Sequence, residues 1–256
     1  MDRRELQGVL AEGGFLAPRE EADELIAAAA GDPSALDAMV RRRLTGEPLA
    51  WITGTVEFCG ARIRVDSGVF VPRWHTEPLV ARAAELLPPD GIGVDVCTGS
   101  GAVARVLAAR RPQARVVGTD LDPTAVACAR RNGVVAYAGD LFAPLPHELV
   151  GAVDVVIGAV PFVPTDELWL LQRDTFTFES PLAYDGGPDG CDILRRVVAE
   201  SPPVLRAGGA LLLALGGRQD ELLRPDLERA GFTGVRTFTD EEGDVRGIEG
   251  TLGSGA

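Results

Sequence analysis

Asp95, Gly99, Gly101 and Asp120 are the residues whose types and spacing could do chemistry. The loop Cys97-Thr98-Gly99-Ser100-Gly101 follows the apolar residues Ile92, Val94 and Val96. It precedes Val103, Val106 and Leu107, which recur at helical spacing. Two glycines there let the chain turn tightly and let a ligand approach bare backbone, and a helix start offers free N–H groups. About twenty residues on, the acid Asp120 closes the next apolar run, where a carboxylate can grip ribose hydroxyls. This arrangement would bind a nucleoside at a strand–loop–helix crossover.

The pattern Gly99-x-Gly101-x-x-Ala104 by itself also fits a dinucleotide-binding fold. Three further features favour S-adenosylmethionine. Asp95 lies inside the strand before the loop, Asp140-Leu141-Phe142 follows the third strand, and the C-terminal strands suit an antiparallel close. The candidate cofactor-binding residues are therefore Phe70, Thr76, Asp95, Cys97, Thr98, Gly99, Ser100, Gly101, Asp120, Leu121, Asp140, Leu141, Phe142 and Gly158. Asp140 is expected to hold the adenine amino group and Phe142 to stack on its ring. Asp95 can equally be read as a buried structural acid bonded to loop N–H groups. Asp120 can be read as a helix cap, although Asp122 already suits that role.

These residues need a scaffold that holds loops at strand ends. From residue 91 onward strands and helices alternate, the pattern of a doubly wound sheet. Strands are placed at 92–96, 115–119, 134–137, 153–158 and 210–215, and helices at 102–110, 123–132, 191–205 and 218–230. Two last strands, 234–238 and 245–250, are too close in sequence for a parallel crossover and should pair antiparallel. The fold class is α/β: a class I methyltransferase (Rossmann-like) seven-stranded sheet with an antiparallel C-terminal strand. Residues 1–50 are expected to form a helical cap, 51–76 a linking β-hairpin that turns at Gly60, and 77–256 the cofactor-binding domain. Thr76 is placed as the N-cap of a helix that begins at Glu77-Pro78.

A formal charge of −13 argues against nucleic-acid and anionic-membrane partners, whose phosphates must be met by cations. All 25 basic residues are arginine, so chemistry that needs a lysine is excluded: a Schiff base, a phosphate-loop lysine, the Tyr–Lys pair of a short-chain dehydrogenase. Cys59, Cys97, Cys128 and Cys191 are widely spaced and only two histidines are present, which disfavours zinc. Such thiols suit a reducing cytoplasm, and no secretory leader or membrane-length apolar run is seen. Monomer and homodimer both stay open.

Several blocks over about residues 41–251 resemble the protein-(glutamine-N5) methyltransferases, the HemK/PrmC group. They are Gly46-Glu47-Pro48-Leu49-Ala50 with Gly54 and Glu57-Phe58, then Gly68-Val69-Phe70-Val71-Pro72-Arg73-Trp74-His75-Thr76-Glu77. Glu179 and Asp185-Gly186-Gly187-Pro188-Asp189-Gly190 complete the set. The resemblance implies a helical substrate-recognition domain at the N-terminus and an Asn-Pro-Pro-Tyr loop after the fourth sheet strand. In that group the Asn side chain and the next backbone carbonyl accept the hydrogens of the glutamine amide. Here the corresponding stretch is Gly158-Ala159-Val160-Pro161-Phe162-Val163-Pro164, with Ala159 where the Asn should stand.

An amide nitrogen is a poor nucleophile, and two acceptors fix its geometry for in-line attack on a methyl group. Losing one such bond costs roughly 1–3 kcal/mol, or about ten- to hundred-fold in rate. The expectation is therefore a diverged N-methyltransferase of secondary metabolism, acting on a small-molecule or cyclic-peptide acceptor, with O-methylation as a minor variant. Ala159, Val160, Pro161 and Phe162 are the candidate catalytic residues, with His75 as a general base. Phe15, Trp51, Phe70, Trp74, Trp169, Phe176 and Phe178 are expected to join Phe162 and His75 around a flat acceptor. The alternatives are methylation of a glutamine in a release factor or ribosomal protein, and a non-catalytic S-adenosylmethionine-binding protein.

Overall fold

The computed structural model of the chain describes residues 1–171 and 177–254. Its N-terminal helices are set by their caps. Helix α1 (Arg3–Glu12) opens with a reciprocal box: Asp2 accepts from the Glu5 N–H, and Glu5 accepts from the Asp2 N–H. Helix α2 (Pro18–Ala29) ends at Ala30 and Gly31 in left-handed conformation, and Asp32 caps α3 (Pro33–Leu44). Leu6, Leu10, Leu25 and Val40 from these three helices close a small core with Ile52 of helix α4 (Leu49–Thr53). Buried Arg43 and half-buried Glu21 pair at 2.6 Å and tie α3 to α2.

Strands β1 (Thr55–Phe58) and β2 (Ala61–Arg64) form the expected hairpin. Its two turn residues, Cys59 and Gly60, both have positive φ, as a two-residue hairpin turn requires. Helix α5 (Glu77–Leu86) follows. Thr76 does not cap it: the residue sits in helical backbone at the end of a short 3-10 turn, Trp74–Thr76, and its side chain makes no cap bond. Glu77 turns away instead and accepts from the Cys59 N–H at 2.9 Å, which fastens the hairpin to this helix.

The main domain alternates β3 (Ile92–Val96), α6 (Ala102–Arg110), β4 (Arg115–Asp120), α7 (Pro123–Arg131), β5 (Val135–Ala138) and β6 (Val153–Gly158). It continues through α8 (Asp192–Glu200), β7 (Leu205–Ala214), α9 (Gln219–Arg229), β8 (Phe232–Thr239) and β9 (Val245–Leu252). The strand order is β5-β4-β3-β6-β7-β9-β8, parallel from β5 to β7, with β9 antiparallel to both β7 and β8. This is the class I methyltransferase fold expected from the alternation. Both faces are covered, so strands read as continuous apolar runs. Val156, Leu211 and Leu213 pack on α8 and α9, while Val155, Ile157 and Leu212 pack on α5 and α6.

The boundaries differ most from the sequence expectation between α8 and β7. The helix placed at 191–205 stops at Glu200, because Pro202 and Pro203 cannot continue it, and β7 starts at Leu205 rather than 210. The extra length of β7 includes Gly208 at φ +77 and a register shift against β6. Among the described residues no helix is long and apolar enough to cross a membrane.

Candidate active site

The chain leaves β3 for β4 and β5 on one side, then returns to β6 on the other. Ligands of open α/β sheets bind outside the strand ends at such a switch point. A cavity of about 460 Å³ lies there, within the range of small-molecule sites. It is lined by the loops that follow β3, β4, β5 and β6, by the Gly68–Phe70 segment, and by α8.

The loop after β3 is built by its sequence. Cys97, Gly99 and Gly101 all have positive φ. At Gly101 a side chain is also sterically barred, since a Cβ would sit 2.9 Å from the Ala129 Cβ. Thr98 is pinned from two sides: its N–H donates to the Thr119 carbonyl at 2.9 Å, and its hydroxyl donates to Asp95 at 2.5 Å. Asp95 also accepts from the Ala104 N–H at 3.1 Å, so this buried acid fixes the loop from beneath. Burial pushes its carboxyl up to about 7.

Asp120 accepts from the Gly99 N–H at 2.8 Å through one oxygen and from the Asp122 N–H at 2.9 Å through the other. Burial raises its pKa, with the backbone donors opposing. Asp140 forms a two-pronged pair with Arg196 of α8, at 3.2 and 2.8 Å, and both residues line the cavity.

Of the expected cofactor residues, Phe70, Cys97, Gly99, Asp120, Leu121, Asp140 and Leu141 border the cavity. Asp95, Thr98, Ser100, Gly101 and Gly158 shape the loops without lining it. Phe142 is set apart: it is buried in the sheet core, and Leu141, at positive φ, takes the place beside the cavity. Thr76 likewise lies outside the lining. Sequence reading missed Thr119, Ser180, Asp185, Ile193 and Arg196, which the fold brings to the same wall. Only Asp185 had a sequence signal, its place at the head of a glycine-rich loop.

S-adenosylmethionine fits these residues. Asp120 lines the cavity with accepting capacity left on its oxygens, Leu141 and Ile193 offer apolar surface, and the buried Thr119 hydroxyl in the wall has no partner among the described residues. Such an orphan suits a ligand that brings polar atoms.

The loop after β6 borders this cavity through Ala159 and Pro161. Val160 points the other way, into the core. Phe162 is wedged between the two sheet cores rather than exposed to an acceptor. The loop is held by the segment 184–190. Val163 donates to the Tyr184 carbonyl at 2.7 Å, and Gly186 and Thr165 complete the clamp through the Val163 and Gly187 carbonyls. Gln219 of α9 donates to the Phe162 carbonyl at 2.6 Å, and Gly190 is obligatory because a Cβ there would lie 2.2 Å from that same oxygen.

The Gly68–Phe70 wall is fastened by Glu179. This buried carboxylate accepts from the Val71 N–H at 2.8 Å, from Arg73 at 2.6 Å and from the Tyr184 hydroxyl. Among the described residues the expected ring of aromatics is not assembled. Trp51 is buried and donates to the Val69 carbonyl at 2.9 Å, and Phe178 packs on the same cluster. Phe15 lies under Arg43 in the N-terminal core, and Trp74 and Trp169 are exposed to solvent. His75 stacks on Trp74 outside the cavity lining, its pKa lowered by burial and by Arg246. Phe176 lies outside the described residues.

A family model for the FtsJ-like methyltransferases matches residues 80–172. The chain is 35% identical over 270 residues to the release factor glutamine methyltransferase of Geobacter sulfurreducens, covering 96% of this chain and 94% of that one. It is 39% identical over 221 residues to the release factor glutamine methyltransferase of Mycolicibacterium smegmatis, covering 78% of each. Among solved structures, M. jannaschii TYW2 in complex with AdoMet superposes with a TM-score of 0.50 at 15% identity, covering 77% of this chain and 84% of that one. That last likeness concerns the fold alone.

Proposed function

This chain belongs to the HemK/PrmC family of release factor glutamine methyltransferases, and from that premise we propose that it methylates the side-chain amide of a glutamine in a protein. It is a methyltransferase whose cofactor is S-adenosylmethionine, which supplies an electrophilic methyl group on a sulfonium. The expectation of a small-molecule acceptor in secondary metabolism is corrected. Relatives at 35% and 39% identity, one of them matched along 96% of this chain, carry the glutamine methyltransferase name. The aromatic enclosure expected around a flat acceptor is also missing among the described residues. Its physical argument weighed one side chain, Ala159, and not the loop that carries it.

The near full-length match to a release factor glutamine methyltransferase carries this reading. The loop itself supports it. Its shape depends on backbone bonds from Tyr184, Gly186, Gly187 and the Gln219 side chain, and none of these needs an Asn at 159. In the proposed roles, Asp120 takes the ribose hydroxyls with its remaining lone pairs, and Asp140, held by Arg196, takes the adenine amino group. The glycine loop admits the rest of the cofactor against bare backbone. The acceptor amide enters between Pro161 and Phe70, where fixed neighbours supply alignment.

Methyl transfer from radiolabelled S-adenosylmethionine to a Gly-Gly-Gln peptide, and to an intact protein bearing that sequence, tests the reading. Label on the glutamine side chain is expected, and a peptide with Asn in its place should stay unlabelled. Absence of label on both glutamine substrates would overturn it.

A further inference from the structure

Resting on the glutamine reading above, we propose that Asp185 supplies the hydrogen-bond acceptor for the substrate amide that Ala159 does not. Asp185 lines the same cavity as Ala159 and Pro161. It is tied to the acceptor loop directly, since it pairs with Val163 as an isolated parallel bridge. The fit there is close: a Cβ on the next residue, Gly186, would meet the Phe162 Cα at 2.8 Å.

The carboxylate is held in one orientation by one oxygen alone. Its Oδ1 accepts from the Thr165 hydroxyl at 2.7 Å and from the Gly187 N–H at 3.0 Å. Among the described residues its Oδ2 accepts no hydrogen bond. Those two donors hold the carboxyl below its usual range, so the group is ionised at neutral pH. An oriented anionic oxygen that lacks a donor, on a residue that lines the cavity, suits an amide N–H, and a charged acceptor makes the stronger bond. In this proposal the Val160 carbonyl is the second acceptor, because backbone survives substitution at 159. On transfer the amide nitrogen bonds the methyl carbon while the carbon–sulfur bond breaks, leaving its electron pair on sulfur. The proton given up by nitrogen passes to the Asp185 carboxylate and on to water.

The sharp variant is Asp185→Asn. Its amide oxygen keeps the bonds from Thr165 and Gly187, while its NH₂ replaces the available acceptor with a donor. Three quantities are read on wild type, Asp185→Asn, Asp185→Ala and Asp185→Asn/Ala159→Asn. They are kcat/KM on the Gly-Gly-Gln peptide, the Kd of S-adenosylmethionine by calorimetry, and the Kd of that peptide with S-adenosylhomocysteine present. Both single variants should lose roughly ten- to hundred-fold in kcat/KM and bind the peptide more weakly, with cofactor Kd unchanged. The double variant should recover part of the loss. Activity of Asp185→Asn within about twofold of wild type would overturn the proposal and leave the glutamine reading standing. Loss of cofactor affinity alongside activity would assign Asp185 to loop structure and also overturn it. If wild type labels no glutamine substrate, the reading itself fails and this inference falls with it.

Discussion

Asp95 shows how one residue serves the site without lining it. Its buried carboxylate holds Thr98 and the start of α6, and burial lifts its pKa to about 7 from an unfolded value of roughly 3.9. The folded state therefore binds this proton more tightly than the unfolded chain. The stability linked to it is full below about pH 4 and declines as pH rises toward about 7. Asp95→Asn removes that titration, so the variant's stability relative to wild type should improve across this window by on the order of a few kcal/mol. Urea unfolding of both proteins at several pH values measures the difference, and a constant difference would refute the assignment. Gly101 offers a steric counterpart. Its φ of +79 and the 2.9 Å approach to Ala129 leave no room for Cβ. Gly101→Ala should cost about 2–4 kcal/mol, from left-handed strain plus overpacking, and weaken cofactor binding in calorimetry.

At the scale of elements, the short helix α4 couples two otherwise separate cores. Ile52 belongs to the N-terminal helical core, whereas its neighbour Trp51 packs with Val69 and Val71 beside the cavity. The Trp51 indole N–H satisfies the Val69 carbonyl, one residue from Phe70. Trp51→Phe keeps most apolar burial but leaves that carbonyl without its donor. We expect a loss of roughly 1–3 kcal/mol in chemical unfolding and a raised S-adenosylmethionine Kd. An unchanged Kd would mean the helical unit does not influence the cofactor wall. The Glu179 cluster works in the same way, joining the segment of Val71 and Arg73 to that of Tyr184. Neither link shows as periodicity, because each joins segments remote in sequence.

For the whole molecule, the cavity proposed for the cofactor draws on segments from Gly68 to Arg196, so filling it should brace the main domain. At about 100 times Kd, S-adenosylmethionine should add about 2.7 kcal/mol, a rise in Tm of roughly 5–10 °C for a chain of this size. Differential scanning fluorimetry checks it, and the rise should shrink in Asp120→Asn. The net charge of −13 carries no fold information, but it sets a second expectation. Recognition of an acceptor protein that meets this acidic surface through basic residues should weaken with salt, whereas cofactor binding in the cavity should change little. Peptide and intact-protein KM values at two ionic strengths distinguish the two.

The sequence by itself determined the sheet, its antiparallel close, the glycine loop and the two acids at the ends of β4 and β5. Those are local matters: apolar runs, breakers, and residue types obligatory for a turn. It misplaced the end of α8 only where the breaker Pro202-Pro203 was overlooked. What the tertiary structure decided was which side chains share the cavity. Phe142 went to the core and Leu141 to the wall, the described aromatics other than Phe70 went to separate cores and the surface, and Asp185 came to line one cavity with Ala159. No spacing rule reaches from 159 to 185. Both line one cavity because tightly approaching glycines at 186 and 190 let the 184–190 segment lie against Phe162 and Val163, and that approach is a property of the packed chain alone.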